Sequence, residues 1–382
     1  MANMNAVLEQ AVARQDVPFA VGMVADADGT RFSGAAGEAA AGRAASEDTV
    51  FRIFSMTKAI GSVAAMILID RGRIDFDTPV VDILPEFSRV QVLDGYDGDT
   101  PVLRAPRVQA TLRHLATHTS GFEYEFWNAD VARYLEVTGH PTILSGLKQS
   151  LFYPLTSDPG TRWGYGIGID WLGQVVEAVD GRTIDVFCRE EIFEPLGMAN
   201  TGFELEGGMA ANLGTLMARG EDGVFVPFDL APPSRPEMYG MGHNLYSTAP
   251  DYLRFLRAVL CKGELDGARI LSEQAVADMT VDHMQGLTFQ KMVTIAPPVT
   301  ADVDLFPGTR VTHSFAFARN EEAIPGKRSA GSLTWAGVCN THFWLDPTKG
   351  IAGVIMTQSL PFVEERFMAT YDAYEQAVYA DL

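Results

Sequence analysis

The stretch FRIFSMTKAIGSVAAMILIDRG, residues 51–72, decides the reading of this chain. No charge falls between Ala59 and Ile69, so the segment after Lys58 reads as a helix made for burial and closed by Gly72. Lys58 stands in its first turn, three residues after Ser55, and residues at that helical spacing share a side and touch. A serine hydroxyl is a weak nucleophile until a neighbour accepts its proton. A lysine taken partly out of water gives up its own proton more readily, so it can be that base. The N–H groups at a helix start are unpaired, which lets the Ser55 amide donate to a developing oxyanion. The same S-x-x-K spacing recurs at Ser145–Lys148, after Pro141; it reads as an ordinary amphipathic helix with Lys148 in solvent.

The bulk properties narrow the classes. A chain of 382 residues, 47% hydrophobic and 20% charged, can bury a large core in one large or two associated domains. Its 29 basic and 49 acidic residues leave a net charge of −20, a field that repels phosphate backbones and anionic membranes. Neither nucleic acid nor a membrane is therefore expected as a partner. The opening MANMNAVLEQAVARQ lacks a basic region followed by an apolar one, and no apolar run approaches the roughly eighteen residues of a membrane span. A cytoplasmic protein is the expectation. Cys188, Cys261 and Cys339 are odd in number, far apart and in no CxxC pair, which fits reduced thiols. No pattern in the chain specifies an oligomer.

The two ends of the chain resemble each other, and the middle differs. Val7, Leu8, Ala11 and Val12 share a helical face, and FAVGMVADADGTRFSGAAG then alternates around Asp28-Gly29 like a hairpin. At the other end THFWLDPTKGIAGVIMTQ reads as strand, turn, strand, followed by a helix carrying Phe367, Tyr371, Tyr374 and Val378. These ends are expected to share one antiparallel sheet. The segments TLRHLATHTSGF, DWLGQVVEAVDGRTIDVFCREEIFEPLG and TAPDYLRFLRAVLCKG predict a mostly helical middle, with LDGYDGDTPVLRAPRVQ and IAPPVTADVDLFPGTR as turn-rich loops. The expected organisation is α+β: a discontinuous α/β domain from residues 1–78 and 285–382, a mostly helical domain at 79–284, and a cleft between them.

Competing chemistries find little support. No G-x-S-x-G pentapeptide occurs, which argues against an α/β-hydrolase. His114 and His118 have the spacing of a helical zinc pair but lack the Glu of H-E-x-x-H and a third ligand. No metal and no cofactor are expected, and His118 reads as structural.

FSMTKAI, GRIDFDTPVVDILPEF, TLRHLATHTSGF, WGYGIGIDWLGQVVE, EPLGMANTGF and LYSTAPDYLRFLRAVL stand in the order seen in serine β-lactamase-like proteins. The chain resembles that superfamily over roughly residues 21–358. Within it, it looks most similar to the family VIII carboxylesterases, relatives of class C β-lactamases and D,D-peptidases. The resemblance implies a β-lactamase/penicillin-binding-protein-like fold, favours Ser55 over Ser145 as the acylated nucleophile, and makes Lys58 its partner. It matches Tyr165 of WGYGIG to the tyrosine of the second motif, able to relay protons to the leaving group and activate water. Where β-lactamases carry K-T-G, this chain has WAGV: Trp335, Ala336, Gly337 and Val338. Gly337 keeps the close backbone approach, and the Val338 amide can complete an oxyanion hole with that of Ser55. Trp335 and Ala336 remove the cation and hydroxyl that would hold a carboxylate, and Ile167 replaces the polar residue two places after the tyrosine. With Phe122, Tyr124, Phe126 and Trp127 as further expected pocket residues, the site reads as apolar and neutral.

The expected function is a serine carboxylesterase for short- to medium-chain uncharged esters, with weak β-lactamase activity as a side reaction. Its substrate partner is a small-molecule ester. The alternatives are an acyltransferase using the same acyl-enzyme, a β-lactamase or D,D-peptidase-type hydrolase, and a non-catalytic relative that kept the fold.

Overall fold

The computed structural model describes residues 2–382, and they form an α+β fold. The main sheet has eight strands: β1 (Phe19–Asp26), β2 (Thr30–Ala40), β3 (Arg43–Ala44), β4 (Val311–His313), β5 (Ala318–Asn320), β6 (Leu333–Gly337), β7 (Thr341–Asp346) and β8 (Ile351–Met356). Their order is β4-β5-β6-β7-β8-β1-β2-β3, and every pairing is antiparallel. The β8–β1 seam joins the two ends of the chain, with Val21 opposite Met356 and Asp26 opposite Ile351. At the β1–β2 turn the Asp26 carboxylate accepts from the amides of Asp28 and Gly29, at 2.9 and 3.0 Å, and so closes the hairpin from the end of β1.

Five longer helices matter for the site: α1 (Ala2–Ala13), α2 (Thr57–Asp70), α3 (Gly168–Asp180), α4 (Ala249–Leu260) and α5 (Glu365–Ala380). Alternation along the strands sorts their side chains between two layers. Ala20, Val24, Trp344, Ile351 and Ile355 pack with Met4 and Leu8 of α1 and Phe367, Tyr371 and Tyr374 of α5. Val21, Met23, Phe343, Leu345, Ala352 and Val354 face the opposite way, into the larger core shared with α2 and α4. Helix α4 lies against β1 and β8, where Tyr252, Phe255 and Leu256 are buried and Arg257 Nε donates to the Asp26 carbonyl at 2.9 Å. This helix, drawn from the middle of the chain, therefore packs on the sheet.

Helix α2 is buried from Thr57 to Leu68, as its lack of charge predicts, and packs against α3. Two expectations change. LDGYDGDTPVLRAPRVQ carries most of a strand pair, Val92–Asp97 with Thr100–Arg104, turning at Gly98-Asp99, so it is a hairpin where a loop was expected. Ser145 and Lys148 occupy two separate 3-10 turns, Ile143–Ser145 and Lys148–Leu151, divided by Gly146 in the left-handed conformation. The expected amphipathic helix is absent there because the chain reverses at Gly146, and the Ser145 hydroxyl accepts from the Leu147 amide. Among the described residues, no helix is long and apolar enough to cross a membrane.

Candidate active site

Ser55 lies in a 3-10 turn, Phe54–Met56, that leads directly into α2. The preceding Phe54 has φ of 39°, a left-handed conformation that non-glycine residues seldom adopt; the backbone folds sharply to present Ser55. One turn on, Lys58 is 2% exposed. Its Nζ lies 3.2 Å from Ser55 Oγ, 3.0 Å from the Tyr124 hydroxyl and 2.8 Å from the Gly242 carbonyl. Those partners account for all three N–H groups of an ammonium, so the charge is fully hydrogen-bonded though buried. When the amine is neutral, the same contact lets it accept the Ser55 proton.

Two tyrosine rings enclose this ammonium, with Nζ 5.1 Å from the Tyr124 centroid and 4.8 Å from that of Tyr165. Tyr165, nominated by its motif, has its hydroxyl beside Trp335 Nε1, which donates to it at 3.4 Å. Tyr124, expected only as a pocket residue, touches Lys58 directly. Burial, with Asp170 and Tyr165 adding to it, holds the Tyr124 phenol well above its ordinary range, so it acts as a neutral hydrogen-bonding group.

Behind Lys58 stands a buried carboxylate that carried no sequence signal. Asp170 Oδ1 accepts from the Gly242 amide at 2.9 Å, while the carbonyl of Gly242 receives Lys58. One peptide thus couples the carboxylate to the lysine. Burial raises Asp170 to about 6, against the pull of Lys58. His243 Nδ1 is 3.6 Å from Asp170 Oδ1, and burial with Lys58 nearby pushes this imidazole down to about 3.

Strand β6 forms the facing wall. Gly337 has no room for a side chain: a Cβ would run into the Ile53 carbonyl and the Thr341 hydroxyl. That close approach brings Val338 beside the Ser55 turn, and among the described residues the Val338 amide finds no acceptor. Ser55 and Val338 line the same two cavities. One cavity continues past Trp127, Trp335, Ala336 and Phe362; the other runs between Phe54, Tyr124, Phe126, Trp127, Ile143 and Leu144. Tyr165 borders both. Neither wall contains a Lys, Arg, Asp or Glu.

The loop expected only to be turn-rich, 295–310, covers this cleft and supplies Val299, Val303 and Leu305 to its walls, with Met292 just ahead of it adding a fourth side chain. It is tied down by the Ile295 amide donating to the Phe126 carbonyl at 3.0 Å and the Ala301 amide to the Phe362 carbonyl at 2.9 Å. Phe122, expected in the pocket, is 1% exposed, packs edge-on against Phe87 in the core and lines neither cavity. His118 is buried among Tyr165, His313 and Trp335, stacked on the last. It lies beyond the short helix Leu112–Ala116 that carries His114, so the two do not share a helical face.

The family model described as Beta-lactamase matches residues 4–377. The chain is 28% identical over 346 residues to Acyltransferase calJ of Penicillium decumbens, covering 87% of this chain and 81% of that protein. It is 29% identical over 334 residues to Lovastatin esterase of Penicillium rubens, covering 84% and 82%. Among solved structures it is similar to simvastatin synthase (LovD) from Aspergillus terreus, with a TM-score of 0.86 and 27% identity, covering 100% of this chain and 98% of that one.

Proposed function

The chain belongs to the Beta-lactamase family of serine enzymes, and from that premise we propose that it is a carboxylesterase of the family VIII type. It hydrolyses uncharged short- to medium-chain esters through an acyl-enzyme on Ser55. The observation that carries this reading is the pair of charge-free cavities meeting at a serine whose Oγ is 3.2 Å from a buried lysine. An ester without charge can be desolvated there cheaply, whereas a carboxylate-bearing β-lactam would enter without a cation to meet it.

In the acylation step Ser55 Oγ attacks the ester carbonyl while its proton passes to Lys58. The oxyanion is held by the amides of Ser55 and Val338. On collapse the C–O bond to the alcohol breaks, and the alcohol leaves with a proton relayed through Tyr165. Water then adds to the acyl-enzyme, giving its proton to the same Lys58–Tyr165 pair; the acid departs and Ser55 recovers its hydrogen. Tyr124, Phe126, Trp127, Trp335 and Ala336 bound the substrate. The reading includes a sheet unit from residues 1–78 and 285–382, joined by α4, facing a mostly helical unit across the cleft.

A second reading is acyl transfer to an alcohol. It is favoured by the covered, apolar surroundings of Ser55, which disfavour water relative to an apolar acceptor, and by the transferase named among the relatives. Chromatography of the products of p-nitrophenyl butyrate with and without added butanol separates the two. Butyric acid as the main product supports the esterase, and butyl butyrate as the main product supports the transferase.

A further inference from the structure

Next to the Ser55 cavity, at Trp335, Ala336, Leu305 and Phe362, lies a second, larger cavity of about 470 Å³, a volume within the range that holds small molecules. It shares those residues with the cavity at Ser55, so the two adjoin. It lies on the α5 face of the sheet. There Ala336 of β6 stands opposite His342 of β7, and Met368 and Tyr371 of α5 close the far side.

His342 is the unusual group. It is 5% exposed, packed among the rings of Phe362, Phe367 and Tyr371, and its Nε2 has no hydrogen-bond partner. A buried imidazole nitrogen without a partner costs on the order of 1–3 kcal/mol, a cost that a ligand hydroxyl can remove. Burial, with Arg328 nearby, pushes the imidazole down to about 3, so it is neutral in ordinary buffers and can donate or accept. Three further polar side chains on the wall are already engaged. Thr334 donates to the Phe343 carbonyl, Tyr371 receives Arg328, and Glu375 is paired with the same arginine. At the mouth Asp302 is paired with Lys291 at 3.0 Å and Asp372 with Lys327, which leaves exposed Asp304 as a carboxylate with no cationic partner.

The compartment on the other side of Ser55 differs. Of the polar side chains on its wall, Tyr124 lies against Lys58 and Tyr165 against Trp335, while His243 has no hydrogen-bond partner at either ring nitrogen and stands 3.6 Å from Asp170. That side is also far smaller, about 50 Å³ against about 470 Å³, which suits a short acyl chain and leaves the larger body of an alcohol to the cavity at His342.

We propose that the cavity around His342 is the compartment for the alcohol part of the ester, and that it selects an uncharged alcohol with an apolar body and a second hydroxyl bonded to His342. This rests on Ser55 being the acylated residue. The alcohol is the part that must leave after acylation, and this cavity opens to solvent past Asp302 and Asp304. An alcohol bearing a carboxylate is repelled at that mouth.

Three butyrate esters with one ring body test this: cyclohexylmethyl butyrate, the monobutyrate of cyclohexanedimethanol, and the butyrate of hydroxymethyl-cyclohexanecarboxylate. In the native enzyme kcat/KM is expected to be about tenfold higher for the diol ester than for the plain ester, and lowest for the carboxylate ester. His342→Leu is expected to abolish the ratio of diol to plain ester, and His342→Gln to retain most of it. These are ratios within one preparation, so loss of folded enzyme cancels. Asp304→Lys, at an exposed position, is expected to raise the carboxylate ester relative to the plain one. Equal rates for the diol and plain esters in the native enzyme, an unchanged ratio in His342→Leu, or no gain in Asp304→Lys overturns the proposal. Should His342→Leu not fold, the native comparison and Asp304→Lys decide it. A native enzyme inert to p-nitrophenyl butyrate overturns instead the esterase reading on which the proposal stands.

Discussion

The Lys58 ammonium lies 3.0 Å from the Tyr124 hydroxyl, closer than the 3.2 Å that separates it from Ser55 Oγ. Tyr124 is thereby part of the lysine's setting as well as a wall of the pocket. Tyr124→Phe removes one of three partners and leaves the ring in place. The expected result is a fall in kcat of about tenfold with KM little changed, because what is lost is the aim of Lys58 and not contact with substrate. Tyr165→Phe, which removes the proposed proton relay, should cost more, on the order of a hundredfold or greater. Steady-state kinetics on p-nitrophenyl butyrate checks both, and a larger loss in Tyr124→Phe would reverse the roles assigned here.

Gly337 sets the distance between β6 and the Ser55 turn. A methyl group there meets the Ile53 carbonyl and the Thr341 hydroxyl, and backbone on one side cannot swing away as a side-chain tip can. Gly337→Ala should push β6 off the turn and misplace the Val338 amide. A loss of kcat of roughly a hundredfold is expected, the scale for removal of one oxyanion donor, while Ala336→Gly, one residue earlier, should be far milder. Equal activity in Gly337→Ala and the native enzyme would remove Val338 from the oxyanion site.

All seven histidines of the chain are held below their ordinary range, with burial the leading cause in each. A group whose folded value is depressed gives stability that is full above its unfolded value, about 6.5, and is lost as pH falls towards the folded one. For His243 and His342 the window runs down to about 3, and for His313 to about 4. Asp170, raised to about 6, and Glu125, Glu177 and Asp251, also raised by burial, work the other way and offset part of this loss as pH falls. The seven histidines outnumber these four carboxylates, so the urea midpoint should drop between about pH 7 and about pH 5, each of the three deepest histidines contributing roughly 1–2 kcal/mol. A midpoint that holds or rises over that interval contradicts the buried, neutral state of these rings.

Some of this architecture could be read directly from the chain. The β1–β2 and β7–β8 pairs declare themselves by alternation around Asp28-Gly29 and Pro347–Gly350, and α2 by its uncharged run, because those signals are local. Ser55 and Lys58 were legible for the same reason: their contact is one helical turn. Tyr124 lines the pocket as expected, but its bond to Lys58 is not legible in the sequence, because it spans 66 residues and exists only once the middle of the chain has packed on α2. Asp170 and His243 were silent because burial, not motif, gives them their character. Phe122 was placed in the pocket through its aromatic neighbours, yet Tyr124 and Trp127 face the cleft while Phe122 points at Phe87. The covering loop, rich in Pro and Asp, gives no sign in sequence of which of its apolar side chains turn inward.

The most direct test of the central claim is the initial rate of p-nitrophenyl butyrate hydrolysis by the native enzyme, Ser55→Ala and Ser145→Ala, compared at equal folded concentration. The account predicts turnover by the native enzyme, a loss of at least about a thousandfold in Ser55→Ala, and native rates in Ser145→Ala, whose hydroxyl only receives the Leu147 amide. Turnover that survives Ser55→Ala, or a native enzyme inert to the ester, would contradict it.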